Sequence, residues 1–168
     1  VKPRAKRLTY NGKDQALVEA GSSNDGMILY SLDRDRWTER IPTGKNAGTY
    51  TVWYRVLGNA RFEGTDAYAI KVTIAKKKLT VIADPMGKNE GDPDPKLTYT
   101  VDGLVEGDML FGSLTRTKGE DVGVYSIKIG SLNAGSNYTI DFIGSAFIIV
   151  RRPEPTMAPL PTVKPTAK

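Results

Sequence analysis

The chain contains no cysteine and no histidine among its 168 residues. Without cysteine it forms no disulfide, no thiolate metal site and no cysteine nucleophile. Without histidine it lacks the commonest general base and the commonest transition-metal ligand. These absences exclude large classes of enzyme chemistry, and we expect a non-enzymatic protein with no catalytic residues and no cofactor.

Long apolar runs are absent as well. A membrane-spanning helix needs about 18 or more consecutive apolar residues, and the sequence contains no such stretch. We therefore expect no membrane insertion by this segment. The residues that follow Val1 do not form a secretory signal. We expect the chain to be a segment of a longer protein whose signal or wall anchor lies elsewhere.

The chain is basic, with 24 Lys and Arg against 19 Asp and Glu, a formal net charge of +5. Much of this excess lies in residues 151–168, where four basic residues accompany one acid. The remainder shows no basic helix and no stripe of alternating basic and aromatic residues. We therefore expect a solvated surface and no nucleic-acid partner.

The hydrophobic pattern predicts an all-β protein. Residues 50–56 alternate with period two, which places Val52 and Tyr54 on one face and Trp53 and Arg55 on the other. Turn sequences such as Asn11-Gly12 separate the strands. A helical period is missing, apart from one possible turn over residues 103–109. Further strands are predicted at residues 69–74, 79–83, 97–101, 125–129, 138–142 and 147–150.

Two internal echoes indicate a repetitive organisation. Residues 1–6 match residues 163–168 at five of six positions, which predicts one repeat unit followed by the start of the next. Residues 46–52 resemble residues 121–127 in the form polar-x-Gly-x-Tyr-x-aliphatic. The sequence therefore predicts an N-terminal β module at residues 1–76 (module one) and a second β module at residues 77–151 (module two). A proline- and threonine-rich linker at residues 152–168, with five prolines, favours an extended spacer.

Module two resembles the MBG family of bacterial surface repeats. Five segments carry this resemblance, at residues 79–83, 90–95, 103–108, 119–125 and 132–140. The family often has tyrosine before the Gly-Asp turn, where this chain has Glu90, and that difference puts one packing contact in doubt.

Module one is similar to an Ig-like companion repeat of Gram-positive surface proteins. Residues 8–12, 30–33 and 46–52, together with Trp37, carry this similarity. The two resemblances imply a secreted protein at the cell surface or cell wall, with roles in stalk building and adhesion. They bring no catalytic residues and no cofactor. The expected partners are neighbouring repeats of the same chain and, in an adhesive role, a glycan or a host surface protein.

Each module is predicted to be either an Ig-like sandwich or a β-grasp-like sheet. In Ig-like sandwiches a Gly-x-Tyr corner places a tyrosine whose hydroxyl bonds to nearby backbone. Tyr50 and Tyr125 occupy such positions, and we expect this structural role for both.

The sequence offers three weak candidate sites, each with a simpler alternative. Trp37, Trp53 and Arg55 form a candidate sugar-stacking platform, although aromatic residues more often pack in a core or between modules. Asp92 and Asp94 are candidate calcium ligands, although Asp-Pro pairs usually make turns.

The third candidate is the pair Asp33 and Asp35, which have the residue type of glycosidase acids but fit a hairpin turn better. The favoured hypothesis is a structural stalk repeat of a bacterial surface adhesin. An adhesive module and an accessory module of a secreted glycoside-degrading enzyme are the alternatives.

Overall fold

The computed structural model describes residues 1–24 and 26–154, and throughout this part every regular element is a β-strand. The predicted all-β class is confirmed, and no membrane-spanning helix occurs among these residues. The prediction of one turn of helix at residues 103–109 is wrong. Residues 105–108 form a β-turn in which the Asp108 N–H donates to the Val105 carbonyl at 3.0 Å. Gly107 adopts φ +88°, which glycine reaches without strain. The predicted linker lies outside the described residues from position 155 onward.

Module one is built as a sandwich of two layers. One layer is a four-stranded sheet in the order β2-β8-β7-β5, in which β2 is parallel to β8. The other layer consists of the pairs β1-β4 and β3-β6, which are linked by hydrogen bonds of Leu17 to Lys6 and Pro42. The strands are β1 (Arg4–Ala5), β2 (Leu8–Thr9), β3 (Gln15–Ala16), β4 (Val18–Glu19), β5 (Met27–Ser31), β6 (Thr43–Gly44), β7 (Gly48–Leu57) and β8 (Tyr68–Ala75).

Module two is organised around one bent parallel pairing of its first and last strands. Its strands are β9 (Lys77–Ala83), β10 (Met86–Asn89), β11 (Tyr99–Asp102), β12 (Thr115–Arg116), β13 (Gly123–Lys128), β14 (Tyr138–Ile143) and β15 (Ala146–Val150). Lys77 pairs with Tyr138 and Met86 with Phe147, so the register is the same before and after the bend. Antiparallel partners flank this pair, with β11 beside β9 and β13 beside β15. The parallel central pairing is a feature of the β-grasp alternative.

Strand alternation determines the core of both modules. In β7, Val52 and Tyr54 are buried whereas Trp53 and Arg55 are only partly covered. In β15, Phe147 and Ile149 are buried while Ile148 between them is 45% exposed. The alternation in residues 50–56 therefore separates core from surface as predicted, whereas residues 147–150 are all apolar and their facing is seen only in the structure.

We expect Phe147→Ala to lower the free energy of unfolding by about 3–5 kcal/mol, because Phe147 is fully buried and its loss leaves a cavity. Chemical denaturation measures this change. Ile148→Ala, on the neighbouring outward-facing residue, is the matched control and should cost about 0.5 kcal/mol or less. Equal losses at the two positions would contradict the facing of β15.

Candidate functional site at the junction between the modules

The two modules are joined with almost no linker. Strand β8 ends at Ala75 and β9 begins at Lys77, so Lys76 alone connects them. On one side the Tyr10 N–H donates to the Ala75 carbonyl at 2.9 Å. On the other side the Lys77 N–H donates to the Asn137 carbonyl at 2.9 Å. Because backbone bonds hold the residues on both sides of Lys76, the connection has little freedom to bend.

A single carboxylate oxygen joins the side chains of the two modules. Asp108 Oδ2 accepts the hydroxyl of Tyr10 at 2.8 Å and the hydroxyl of Tyr138 at 2.5 Å. The two tyrosine rings meet edge to face, with centroids 5.4 Å apart and an interplanar angle of 79°. The Val105 N–H donates to the Tyr138 hydroxyl at 3.0 Å, so this oxygen is both donor and acceptor. Tyr10 comes from module one and the other three residues from module two.

A side-chain amide makes a second contact between the modules. The Ala47 N–H donates to Asn137 Oδ1 at 2.8 Å, and Asn137 Nδ2 donates to Asn46 Oδ1 at 3.2 Å. Gly12 packs so closely against Val105 that a Cβ at this glycine would lie 2.6 Å from Val105 Cγ1. We call the set of Tyr10, Asn46, Ala47, Val105, Asp108, Asn137 and Tyr138 the junction.

The junction stabilises one charged carboxylate between two neutral phenols. Hydrogen bonds from Tyr138 and Tyr10 lower the pKa of Asp108, and the positive charge of Lys45 adds to this shift. Burial, followed by the bond to Asp108, raises the pKa of Tyr138 to about 12. The bond to Asp108 also raises the pKa of Tyr10. The two tyrosines therefore remain donors, and Asp108 remains an acceptor, throughout the neutral range.

The junction was missed by sequence analysis, although one signal pointed to it. At the end of module two the Glu90 N–H donates to the Val150 carbonyl at 2.8 Å, just as Tyr10 bonds to Ala75 at the end of module one. Glu90 and Tyr10 thus occupy equivalent positions. The sequence had marked Glu90 as a departure from a family tyrosine. The side-chain contact expected of a tyrosine at this position is, in module one, the contact that Tyr10 makes with module two.

Tyr50 and Tyr125 each make the hydrogen bond of a tyrosine corner. The Tyr50 hydroxyl donates to the Asn46 carbonyl at 2.8 Å, and the Tyr125 hydroxyl donates to the Asp121 carbonyl at 2.8 Å. Each accepting carbonyl lies four residues before its tyrosine, at the entrance to β7 and β13. The first corner also holds Asn46 in the junction.

Trp37, Trp53 and Arg55 lie together on the outer face of the β7 sheet, and the structure adds Arg34 to them. The Arg34 guanidinium lies 4.4 Å from the Trp53 ring centroid, and that of Arg55 lies 4.3 Å from the Trp37 ring centroid. Neither tryptophan belongs to the buried core, so the alternative of core packing is wrong for both. We call these four residues the indole–arginine face.

Asp92 and Asp94, the candidate calcium ligands, are paired with cations of the protein. Asp94 accepts from Arg116 Nε at 2.6 Å and Nη2 at 2.8 Å and from Lys88 Nζ at 2.8 Å, whereas Asp92 pairs with Arg152. Lys88 and Arg116 also pair with Glu120. No cluster of three metal-ligating residues occurs within residues 1–24 and 26–154. Asp94 therefore helps to stabilise two buried cations, Lys88 and Arg116.

Asp33 and Asp35 lie in the hairpin turn that was the simpler alternative for them. Asp33 Oδ1 accepts the N–H groups of Asp35 and Arg36, each at 2.9 Å, and the Ser31 hydroxyl at 2.9 Å. These bonds lower the pKa of Asp33 to about 2, with the backbone bond from Arg36 contributing most. The Asp33 carboxylate therefore stabilises its own turn.

The comparison with protein families supports the resemblance found in module two. A family model described as MBG domain (YGX type) matches residues 79–148. This match covers most of module two, and the resemblance of module one stays a prediction. Among curated proteins and among solved structures, no match to this chain was found.

We expect Tyr50→Phe and Tyr125→Phe each to reduce the free energy of unfolding by about 0.5–1.5 kcal/mol, since each removes one hydroxyl bond and keeps the ring. Chemical denaturation followed by circular dichroism measures the change. Tyr68→Phe, at a half-exposed ring outside both corners, is the control. If Tyr68→Phe cost as much, the corners would not have the role assigned to them.

We expect acid to weaken module two partly through Asp94. Its bonds to Arg116 and Lys88 lower its pKa from 3.8 to about 2 in the folded protein. The stabilisation is thus complete above about pH 4 and is lost as the pH falls towards 2. Denaturation midpoints measured between pH 5 and 2 should fall less steeply in Asp94→Asn than in the wild type. Asp141→Asn, at an exposed position in β14, should leave the wild-type slope unchanged.

Proposed function

We propose that this chain is a non-enzymatic structural repeat of a bacterial surface protein, in which two β modules form one stiff segment of a stalk. The observation that carries the proposal is the junction, where Asp108 accepts a hydroxyl from each module. The MBG-domain match to module two supports placement among surface repeats. An extracellular location, at the cell surface or wall, belongs to the same proposal.

The path of the chain suits a stalk segment, in which the chain enters at one end and leaves at the other. Near the start, the Lys2 ammonium lies 5.7 Å from the ring of Tyr68, which begins β8. Strand β8 then runs to Ala75 at the junction, roughly 23 Å further on at the usual strand rise. In module two, β14 starts at the junction with Tyr138 and β15 ends at Val150. The chain therefore enters module one and leaves module two at the ends remote from the junction.

An adhesive role is the second candidate, and the indole–arginine face is the observation that favours it. Partly covered tryptophans on an outer sheet face are a common means of binding sugars or proteins. The third possibility, an accessory module of a secreted glycoside-degrading enzyme, requires a catalytic domain elsewhere in the parent protein. The sequence of the parent gene separates this third possibility from the other two.

The stalk proposal predicts that the relative orientation of the modules depends on Asp108. Because the chain has no native cysteine, spin labels can be placed at Lys71→Cys and Val124→Cys, two exposed strand positions in different modules. Pulsed electron paramagnetic resonance should give a narrow distance distribution in the otherwise native chain. Asp108→Ala should broaden it, since the two hydroxyls lose their shared acceptor.

The matched control is Tyr68→Phe, which removes a hydroxyl outside the junction and should leave the distribution narrow. Circular dichroism must show that both variants stay folded. A broad distribution in the native background would refute a stiff segment. A narrow distribution in Asp108→Ala would refute the assignment of stiffness to the shared carboxylate.

A further inference from the structure

We propose that the indole–arginine face of module one binds an anionic polysaccharide, with its sulfate or carboxylate groups held by Arg34 and Arg55. The inference assigns a ligand class to the adhesive alternative and does not depend on the stalk role. The shared chemistry is an oxyanion carried on a sugar chain.

Arg34 and Arg55 have no carboxylate partner among the described residues. Within the described part of the chain every ion pair involves a carboxylate of module two. Arg34 and Arg55 contact indole rings instead, and Arg55 Nε is buried without a hydrogen-bond partner among the described residues. An arginine that lies over an aromatic ring without a carboxylate partner still has N–H groups with which to bind an oxyanion through paired hydrogen bonds.

The turn that carries Arg34 is fixed by hydrogen bonds of its own. Asp33, in the turn that carries Arg34, accepts from the backbone of its own turn and from Ser31. Arg34 itself has φ +70°, the one positive value among the non-glycine residues described, and this conformation is held by the turn. The Arg34 guanidinium is therefore presented over Trp53 by a fixed turn.

Positively charged groups and an aromatic ring form a line across this face. Exposed Lys71 pairs with Thr51 in the adjacent strand, and Trp53 and Arg55 follow Thr51 on the same face. Thr51 and Arg55 are four residues apart, roughly 13 Å along the strand. Next to Trp53 in β8 stands the small side chain of Ala69, which leaves room beside the indole. A line of positive groups with an aromatic ring between them fits a linear chain of charged sugars better than one compact anion.

The experiment uses the whole chain and three polymers: heparin as the sulfated probe, polygalacturonate as the carboxylated probe and dextran as the neutral control. Affinity is measured by titration calorimetry. Trp37 and Trp53 are the two tryptophans of the chain, so their fluorescence reports directly on the face. We expect one or both anionic polymers to bind and to change the emission, with dextran silent. Binding by heparin alone would identify sulfate as the ligand group, and binding by polygalacturonate alone would identify carboxylate.

Arg34→Gln should weaken binding about tenfold or more, the effect of losing one charged contact. Because Arg34 is exposed, this variant should stay folded, and thermal unfolding checks that. Arg4→Gln makes the same change of charge on β1 in the other layer and should bind as the wild type does. Equal weakening by Arg4→Gln, equal binding of dextran, or no binding by either anionic polymer would each overturn the proposal. None of these results bears on the stiffness of the junction.

Discussion

The arrangement of the two modules depends on one carboxylate. Asp108 lies in the β-turn of residues 105–108, yet its Oδ2 accepts hydroxyls from rings that belong to different modules. A charged acceptor strengthens both bonds, and the low pKa of Asp108 keeps the charge in place. The edge-to-face contact of the rings and the amide of Asn137 act on the same interface. In the proposed stalk role, these contacts and the single connecting residue hold the two modules as one body.

The same position in the fold is used differently at the two ends of this body. Tyr10 follows β2 and reaches Asp108, whereas Glu90 follows β10 at the equivalent place. Glutamate has no hydroxyl to donate and would repel an acceptor carboxylate. Module two therefore lacks, at its far end, the group with which module one binds its neighbour. The hydroxyl contact that Tyr10 makes between modules one and two therefore has no counterpart at Glu90.

Local sequence pattern was enough to predict most of the strands, but it could not predict contacts between residues that are far apart in the chain. The alternation in residues 50–56 identified a strand and its two faces, because period two is a property of neighbouring residues. The all-apolar residues 147–150 indicated a strand without indicating which face is buried. The turn at Gly107 was mistaken for a possible helix, since a short apolar segment has no clear period. The junction joins residues 98 positions apart, which no local pattern encodes. Trp37, Trp53 and Arg55 were grouped from the sequence, but Arg34 was not foreseen beside Trp53. Its position depends on the register of β5 and β7 and on the turn between residues 32 and 37.

Arginine serves opposite purposes in the two modules. Arg116 is buried against Phe147 and Tyr125, and Asp94 and Glu120 neutralise it, so its donors are consumed by the fold. Arg34 and Arg55 also lie on aromatic rings, but no carboxylate faces them in the described part of the chain. A buried cation requires a partner for stability, whereas a half-covered one on an outer sheet face does not. In module two the buried cations Lys88 and Arg116 are paired with carboxylates, whereas module one presents Arg34 and Arg55 on aromatic rings at an outer face.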